Sequence, residues 1–496
     1  MTETPPRTMG LDALVGSLDG ATVRGDLERT IAGIAHDSRA VGPGFAFVAL
    51  RGSRADGHDF VAAAVGAGAT AVVAELARVE SLDVPKNVTL VAVPDTRAAL
   101  ARLAATFYRN PARAFAHTIG VTGTNGKTTT TFLIRAALEA AGIPCGLIGT
   151  LGAQFRDEVR ALRNTTPLAL ELQATLATMR DGGARAIVME VSSHALALER
   201  VAEIEFSLAV LTNVTRDHLD FHGSEAAYAA AKRKLLDASR VVILNADDPT
   251  GAAWVSELRR DGHRVVTYAV DADADVRAEG VMLSVGGSAF TVGGMPFELK
   301  LPGSFNVSNA LAAIAVARTV SIDDSVTARA LRSVESVPGR MEHFSAGGID
   351  VLVDYAHTPD ALGNVLRAAR QAARGRLITI FGCGGDRDRG KRPEMGRLAS
   401  ELGDLTIVTS DNPRSEDPQA IADEIVAGVS YRSSLVVELD RAAAIRRGLD
   451  AAKPGDVVVV AGKGHETYQV VGTSVRAFDD REIVRSLLAE RAKRGR

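Results

Sequence analysis

The stretch GVTGTNGKTTT, residues 120–130, combines closely spaced glycines with a Gly-Lys-Thr ending, the chemistry of a phosphate cradle. Its glycines fall three apart, at Gly120, Gly123 and Gly126, and Val121 stands where the common loop G-x-x-x-x-G-K-[ST] carries its first glycine. A strand expected at Thr118–Thr122 and a helix over Lys127–Ala141 flank the turn. Such a turn lets backbone N–H groups converge on a phosphate at the positive end of the helix. Lys127 would reach the terminal phosphates and the Thr128 hydroxyl would hold Mg²⁺. An ordinary strand-to-helix turn would have no need of Gly-Lys-Thr.

Magnesium held by phosphates also asks for a carboxylate. Glu190 ends the apolar run Ala186–Met189, where a sheet would present it at its C-terminal edge. Residues 190–194, Glu-Val-Ser-Ser-His, gather an acid, two hydroxyls and an imidazole at that edge, more than a strand terminator requires. Thr212-Asn-Val-Thr-Arg-Asp-His-Leu-Asp220 follows another apolar run and brings His218. Taken alone, His218 reads as a structural histidine, and Lys232, on a helical stretch from Tyr228, as a surface lysine.

The elements that must position these groups alternate along the chain. Apolar, β-branched runs at Thr118–Thr122, Ala186–Val191, Leu208–Leu211, Val241–Leu244, Val351–Tyr355, Leu377–Phe381, Leu405–Thr409 and Val457–Ala461 are mostly followed by alanine-rich helical segments. That rhythm predicts an α/β fold with mainly parallel sheets. At 496 residues the chain suggests about three domains. Breaks at Arg109-Asn-Pro111 and Val337-Pro-Gly339 divide it into residues 1–112, 113–338 and 339–496. The second block contains an irregular stretch, Asp271–Pro302, with short strands and little helix, and the third reads as a doubly wound domain.

Composition narrows the classes. The chain is 46% hydrophobic and 24% charged with a net charge of −3, which supplies full cores and excludes bulk attraction to nucleic acid. Acids interrupt the basic run Asp386–Arg392, so it reads as a ligand-binding loop. Cys145 and Cys383 lack metal-ligand spacing and read as small reduced core residues. No signal core and no apolar run of membrane-spanning length is seen, so a cytoplasmic protein with no membrane span is expected.

Together these blocks resemble the Mur ligase family, which builds the peptide of bacterial cell-wall precursors. The family variant of the phosphate loop is similar to Thr122–Thr128, TGTNGKT, so the displaced glycine is its normal form. The resemblance extends through EVSSHAL, NVTRDHLD, LPGSFNVSNA (301–310), PGRME (338–342) and DYAHTP (354–359). It implies an N-terminal uridine-nucleotide-binding domain, a central ATPase domain with a mostly parallel sheet, and a Rossmann-like C-terminal domain that delivers an amino acid. Within the family the chain looks most like the MurE type, whose members add a diamino acid to UDP-N-acetylmuramoyl-L-alanyl-D-glutamate.

Asp411-Asn412-Pro413-Arg414 resembles the signature of members that use meso-2,6-diaminopimelate rather than lysine. The extra carboxylate of that substrate suits the planar fork of Arg414. Arg387 and the Gly-Lys-Gly-His-Glu loop, Gly462–Glu466, match the positions that complete the amino-acid site, with Glu466 available for an ammonium group. The competing reading of Asp411–Arg414 is a plain proline turn.

The resemblance implies an acyl-phosphate mechanism in which positioning and charge neutralisation dominate. Gly123, Thr124, Asn125, Gly126, Lys127, Thr128 and Thr129 would cradle ATP, with Asn306 and Asn309 at the adenine. Arg340, Asp354 and His357 would approach ribose or phosphates. Thr128 and Glu190 would hold one Mg²⁺ and His218 a second, joined by Lys232 as a CO₂-derived carbamate. Ser38, Ser53, Arg54 and Ala55 would touch the uridine diphosphate, while Asn164, Thr165, Thr166, Ser192 and Arg200 would touch the muramoyl dipeptide.

Two departures concern the nucleotide sugar. Leu198 stands where a glutamine is often found, and Ser53-Arg54-Ala55 where the uridine loop often reads His-Gln-Ala. The partners implied are small molecules only, and a monomer is expected. Alternatives are a same-fold ligase for L-lysine, folylpolyglutamate or D-alanyl-D-alanine, or a non-catalytic nucleotide-binding homologue.

Overall fold

The computed structural model describes residues 8–52 and 55–494. The described residues form two compact units. One holds the chain up to Thr122 together with Ile143–Ala209 and Ala231–Arg240; the other holds Gly123–Gly142, Val210–Ala230 and the chain from Val241 onward.

In the first unit, five strands form a sheet in the order Thr22–Arg24, Thr89–Val93, Ala69–Glu75, Phe45–Val48, Gly33–Ala35. All neighbours are parallel except the short edge strand Thr22–Arg24. Alternate residues feed two cores: Val73, Val91 and Val93 pack with Leu100 and Leu103, whereas Val72 and Leu90 pack with Val61 and Ala64. The same unit carries Ala186–Glu190, which pairs in parallel with His117–Thr122 on one side and Cys145–Gly149 on the other. All five of its residues are buried, as expected of a strand covered on both faces.

These strands belong to a mostly parallel central sheet, which in the first unit runs Glu158–Arg160, Gly152–Phe155, Cys145–Gly149, Ala186–Glu190, His117–Thr122; in the second unit Arg264–Ala269 pairs in parallel with Val276–Arg277. Only Gly123–Gly126 separates the strand His117–Thr122 from the helix Lys127–Ala140. The irregular stretch expected at Asp271–Pro302 includes the antiparallel strands Glu279–Ser284, Gly287–Val292 and Met295–Leu299 and no helix.

In the second unit, six strands run Glu342–Ala346, Ile349–Asp354, Val457–Ala461, Leu377–Phe381, Leu405–Val408, Leu435–Val437. Only Glu342–Ala346 is antiparallel to its neighbour. Val457, Val459 and Ala461 join a core with Leu362 and Leu366, while Val458 and Val460 join another with Ile445 and Val484. Helices therefore cover both faces, and the chain is a three-domain α/β protein built on these three main sheets. Both cysteines are buried. Among the described residues no helix is long and apolar enough to cross a membrane.

Candidate active site

The displaced glycine has a packing explanation. Gly120 lies inside the strand, where a Cβ would sit 2.9 Å from the Phe206 ring and 3.0 Å from Leu235. The turn itself uses Gly123 at φ +146° and Gly126 at φ +88°, a region open to glycine. A side chain at Gly123 would collide with Thr212 Oγ1, and one at Gly126 with Asn309 Oδ1.

Backbone and side chains then fix the loop. Thr124 N donates to Asn213 O at 2.8 Å and Asn125 N to Asn213 Oδ1 at 3.0 Å. Thr212 Oγ1 donates to Asn125 O at 2.6 Å, and Asn125 Nδ2 to Asp360 Oδ2 at 2.9 Å. Lys127 Nζ folds over the turn to Gly123 O and Thr124 O, each at 2.8 Å. Thr128 and Thr129 are buried in the first helical turn. Asn306 and Asn309, on the helix Ser304–Thr319, are buried and bonded to each other at 3.1 Å, and Asn309 Oδ1 accepts from Thr130 Oγ1 at 3.2 Å.

The loop meets the start of the third sheet in the same unit. Arg340 Nη2 donates to Thr128 Oγ1 at 3.0 Å, and its guanidinium lies 4.6 Å over the Tyr355 ring. Asp354 accepts from Met341 N and Ala356 N, each at 2.7 Å; burial raises its pKa and the Arg340 charge opposes that. His357 Nδ1 donates to Tyr355 O at 2.8 Å, while Lys391 Nζ donates to His357 O. Burial, reinforced by the Lys391 ammonium, lowers His357 to about 4. His218 stands at φ +52° before the short helix Leu219–His222, with Nε2 3.3 Å from Asp217 Oδ2. Burial would raise Asp217, but the charges of His218, His357 and Lys127 bring its pKa below the ordinary value.

The stretch Asp411–Arg414 is built into a buttressed turn. Asp411, Asn412 and Pro413 are buried, and Arg414 takes φ +53°. Arg414 N donates to Val470 O at 3.1 Å and Gly472 N to Arg414 O at 2.7 Å, so the hairpin Tyr468–Val471/Ser474–Ala477 grips the arginine backbone. Arg414 Nη1 donates to Gly385 O at 2.7 Å. Asn412 Nδ2 donates to Glu466 Oε2 at 2.8 Å. Gly462, at φ +116°, leaves room for the Asp411 carboxylate, which a Cβ would approach to 2.6 Å. Arg387 is exposed in the neighbouring loop. The basic run Asp386–Arg392 serves two ends: Arg392 is fully buried, bonded to Glu416 at 2.9 Å and Glu424 at 2.8 Å, and is structural rather than ligand-facing.

In the first unit, Glu190 is 1% exposed and its carboxylate is aimed by Thr150, whose N donates to Oε1 at 2.8 Å and whose hydroxyl donates to Oε2 at 3.1 Å. Thr150 Oγ1 also lies 3.1 Å from Thr165 Oγ1. Thr166 Oγ1 donates to Glu190 O at 2.8 Å and accepts from Ser192 N at 3.1 Å; Arg200 Nη1 donates to Thr166 O at 2.8 Å. Glu190, Thr165, Thr166, Ser192 and Arg200 are thus brought together, with Asn164 exposed beside them. Lys232 is 1% exposed, which corrects the reading of an isolated surface lysine. Ser38 begins a short 3₁₀ turn capped by Asp37, and Ala55 is exposed. Ser53 and Arg54 lie outside the described residues.

Thr150 was not singled out from the sequence; Asn213, Tyr355 and Lys463 lay inside stretches that were, with no role given to them. Each acts through a partner distant along the chain, and only the glycines and prolines beside them gave a local signal.

Comparison with known proteins covers most of the chain. The family model described as Mur ligase family, catalytic domain, matches residues 30–108; Mur ligase middle domain matches 121–317; and Mur ligase, glutamate ligase domain, matches 339–464. A protein of Syntrophomonas wolfei named UDP-N-acetylmuramoyl-L-alanyl-D-glutamate–2,6-diaminopimelate ligase is 45% identical over 98% of this chain and all of its own. One of the same name from Gloeobacter violaceus is 47% identical over 94% of this chain and 95% of its own. A solved structure of a protein so named superposes with a TM-score of 0.69 at 32% identity, covering 98% of this chain and 99% of the other.

Proposed function

The chain belongs to the Mur ligase family, and from that premise we propose that it is an ATP-dependent, ADP-forming ligase of peptidoglycan precursor synthesis. It joins meso-2,6-diaminopimelate to the D-glutamate γ-carboxylate of UDP-N-acetylmuramoyl-L-alanyl-D-glutamate. The observation that carries this is full-length identity above 40% to ligases of that name, supported by an Asp411–Arg414 turn bonded to Glu466 and Gly385.

In the reaction, the γ-carboxylate attacks the terminal phosphorus of ATP and ADP leaves, giving an acyl phosphate. The amine of diaminopimelate adds to the acyl carbon, loses a proton, and phosphate departs as the amide forms. The protein's part is to align three reactants and offset charge. Lys127 and Arg340 face the phosphoryl groups, with Gly123–Thr129 cradling them. Asn306 and Asn309 line the adenine side, and Asp354 and His357 the ribose or phosphates. Ser38, Ser53, Arg54 and Ala55 take the uridine diphosphate; Asn164, Thr165, Thr166, Ser192 and Arg200 take the muramoyl dipeptide.

Hydroxyl and carboxylate oxygens fit a hard cation, and the buried, doubly hydrogen-bonded Glu190 carboxylate supports such a ligand. Thr128, Glu190, His218 and, as a carbamate, Lys232 would each supply a ligand to Mg²⁺. Bound magnesium supplies charge neutralisation at the phosphates. Arg414 and Arg387 meet the carboxylates of diaminopimelate, Glu466 an ammonium. The protein acts in the cytoplasm, as a monomer. The domains run 1–112, 113–338 and 339–496.

Phosphate release from ATP and Mg²⁺ with the sugar nucleotide tests the proposal, comparing meso-diaminopimelate, L-lysine and no amino acid. Release with diaminopimelate alone is expected. Release with lysine would keep the ligase and overturn the account of Arg414; release under no condition would return the question to other substrates or to a non-catalytic homologue.

A further inference from the structure

Lys463 is a buried cation to which the mechanism above gives no task. Its side chain is 0% exposed, with Nζ donating to Asn412 Oδ1 at 3.1 Å and to Glu466 Oε2 at 3.0 Å, and lying 5.7 Å from the Tyr468 ring centroid. Asn412 Oδ1 also accepts from Val470 N at 2.9 Å. Two donors on Oδ1 fix the amide orientation, so Nδ2 must face Glu466 Oε2, as it does at 2.8 Å. Glu466 Oε2 therefore takes two donors, and among the described residues Oε1 takes none. The turn is short: Glu466 N donates to Lys463 O at 2.9 Å, with Gly464 at φ +52° between them.

A residue needed only to fill this volume would not carry a charge, because a buried ammonium must be desolvated and then repaid by its partners. The geometry repays it through two residues of the amino-acid site. We propose that Lys463 is a positioning residue that determines recognition of the amino-acid substrate. By occupying Glu466 Oε2 and locking Asn412, it leaves Glu466 Oε1 as the acceptor for one ammonium of a diamino dicarboxylic acid whose far carboxylate meets Arg414. This inference rests on the amino-acid site proposed above.

Steady-state phosphate release with the full chain tests it, with meso-diaminopimelate varied at saturating ATP and sugar nucleotide. In Lys463→Met, KM for diaminopimelate should rise about tenfold or more, as for loss of a charge-assisted hydrogen-bond network. The KM values for ATP and the sugar nucleotide should stay within about twofold of the parent. Lys463→Arg, which keeps the charge, should recover part of the loss. If Lys463→Met does not fold, Lys463→Gln, which keeps a donor without the charge, carries the same comparison. An unchanged KM for diaminopimelate, or a parallel rise in all three KM values, overturns the positioning role. A parent protein that releases no phosphate with diaminopimelate overturns instead the reading of function on which it rests.

Discussion

Lys232 shows how little a side chain's type says about its place. On the solvated face of a helix it would be ordinary; at 1% exposure, a plain ammonium has to be desolvated. On the carbamate reading, Lys232→Ala should lower kcat by about a hundredfold or more, and added short-chain carboxylates should restore part of it. Full activity in the unrescued variant would sink the idea. His357 gives a pH signature. Its folded pKa of about 4 lies below the ordinary 6.5 because burial and Lys391 disfavour the charged ring. The unfolded chain therefore takes up a proton between those values that the folded chain does not. The contribution is full above pH 6.5 and shrinks as pH falls toward 4. His465, lowered to about 3 by burial and by Arg340, adds in the same direction. His357→Gln should lose less melting temperature than the parent between pH of about 7 and 5, read by circular dichroism.

Among the elements, the helices Arg441–Ala451 and Asp480–Arg494 are tied by an ion pair with both side chains at 0% exposure. Arg441 also donates to Ala461 O at 2.9 Å, fastening the end of the central strand of its sheet. Arg441→Leu leaves Asp480 buried without its cation and should cost about 3–5 kcal/mol in urea unfolding. Arg441→Leu with Asp480→Leu should regain much of that, since no charge is stranded. This contact shows where sequence reading stops. Leu377–Phe381 and Val457–Ala461 were legible to the residue, as apolar β-branched runs bounded by small or polar residues. The strand expected at Val351–Tyr355 instead spans Ile349–Asp354, because its start is set by pairing with Glu342–Ala346 through Ile349 opposite Ala346. That partner alternates half-buried and exposed residues, and no apolar run announced it. The burial of Arg392, Arg441 and Lys463 was not legible in sequence; it depends on acids or backbone oxygens brought to them by the fold.

At the scale of the whole molecule, the phosphate loop was the most legible feature, since its glycines and Lys127 carry their geometry locally. Arg340 was legible only as a position in a motif, yet it joins Thr128 to the ring of Tyr355. Arg340→Ala should raise KM for ATP about tenfold while leaving diaminopimelate binding by calorimetry unchanged. Equal loss at both substrates would mean that Arg340 supports the fold rather than the nucleotide. The hairpin at Tyr468–Ala477 carries a different consequence. It fixes Arg414 by backbone register, through Val470 and Gly472, rather than by side-chain contact. On the proposed role of Arg414, substrate choice is thereby written partly in strand alignment, which no four-letter signature can transport. Grafting Asp-Asn-Pro-Arg alone into a lysine-adding relative would import the guanidinium without its bearing; the hairpin would have to travel with it.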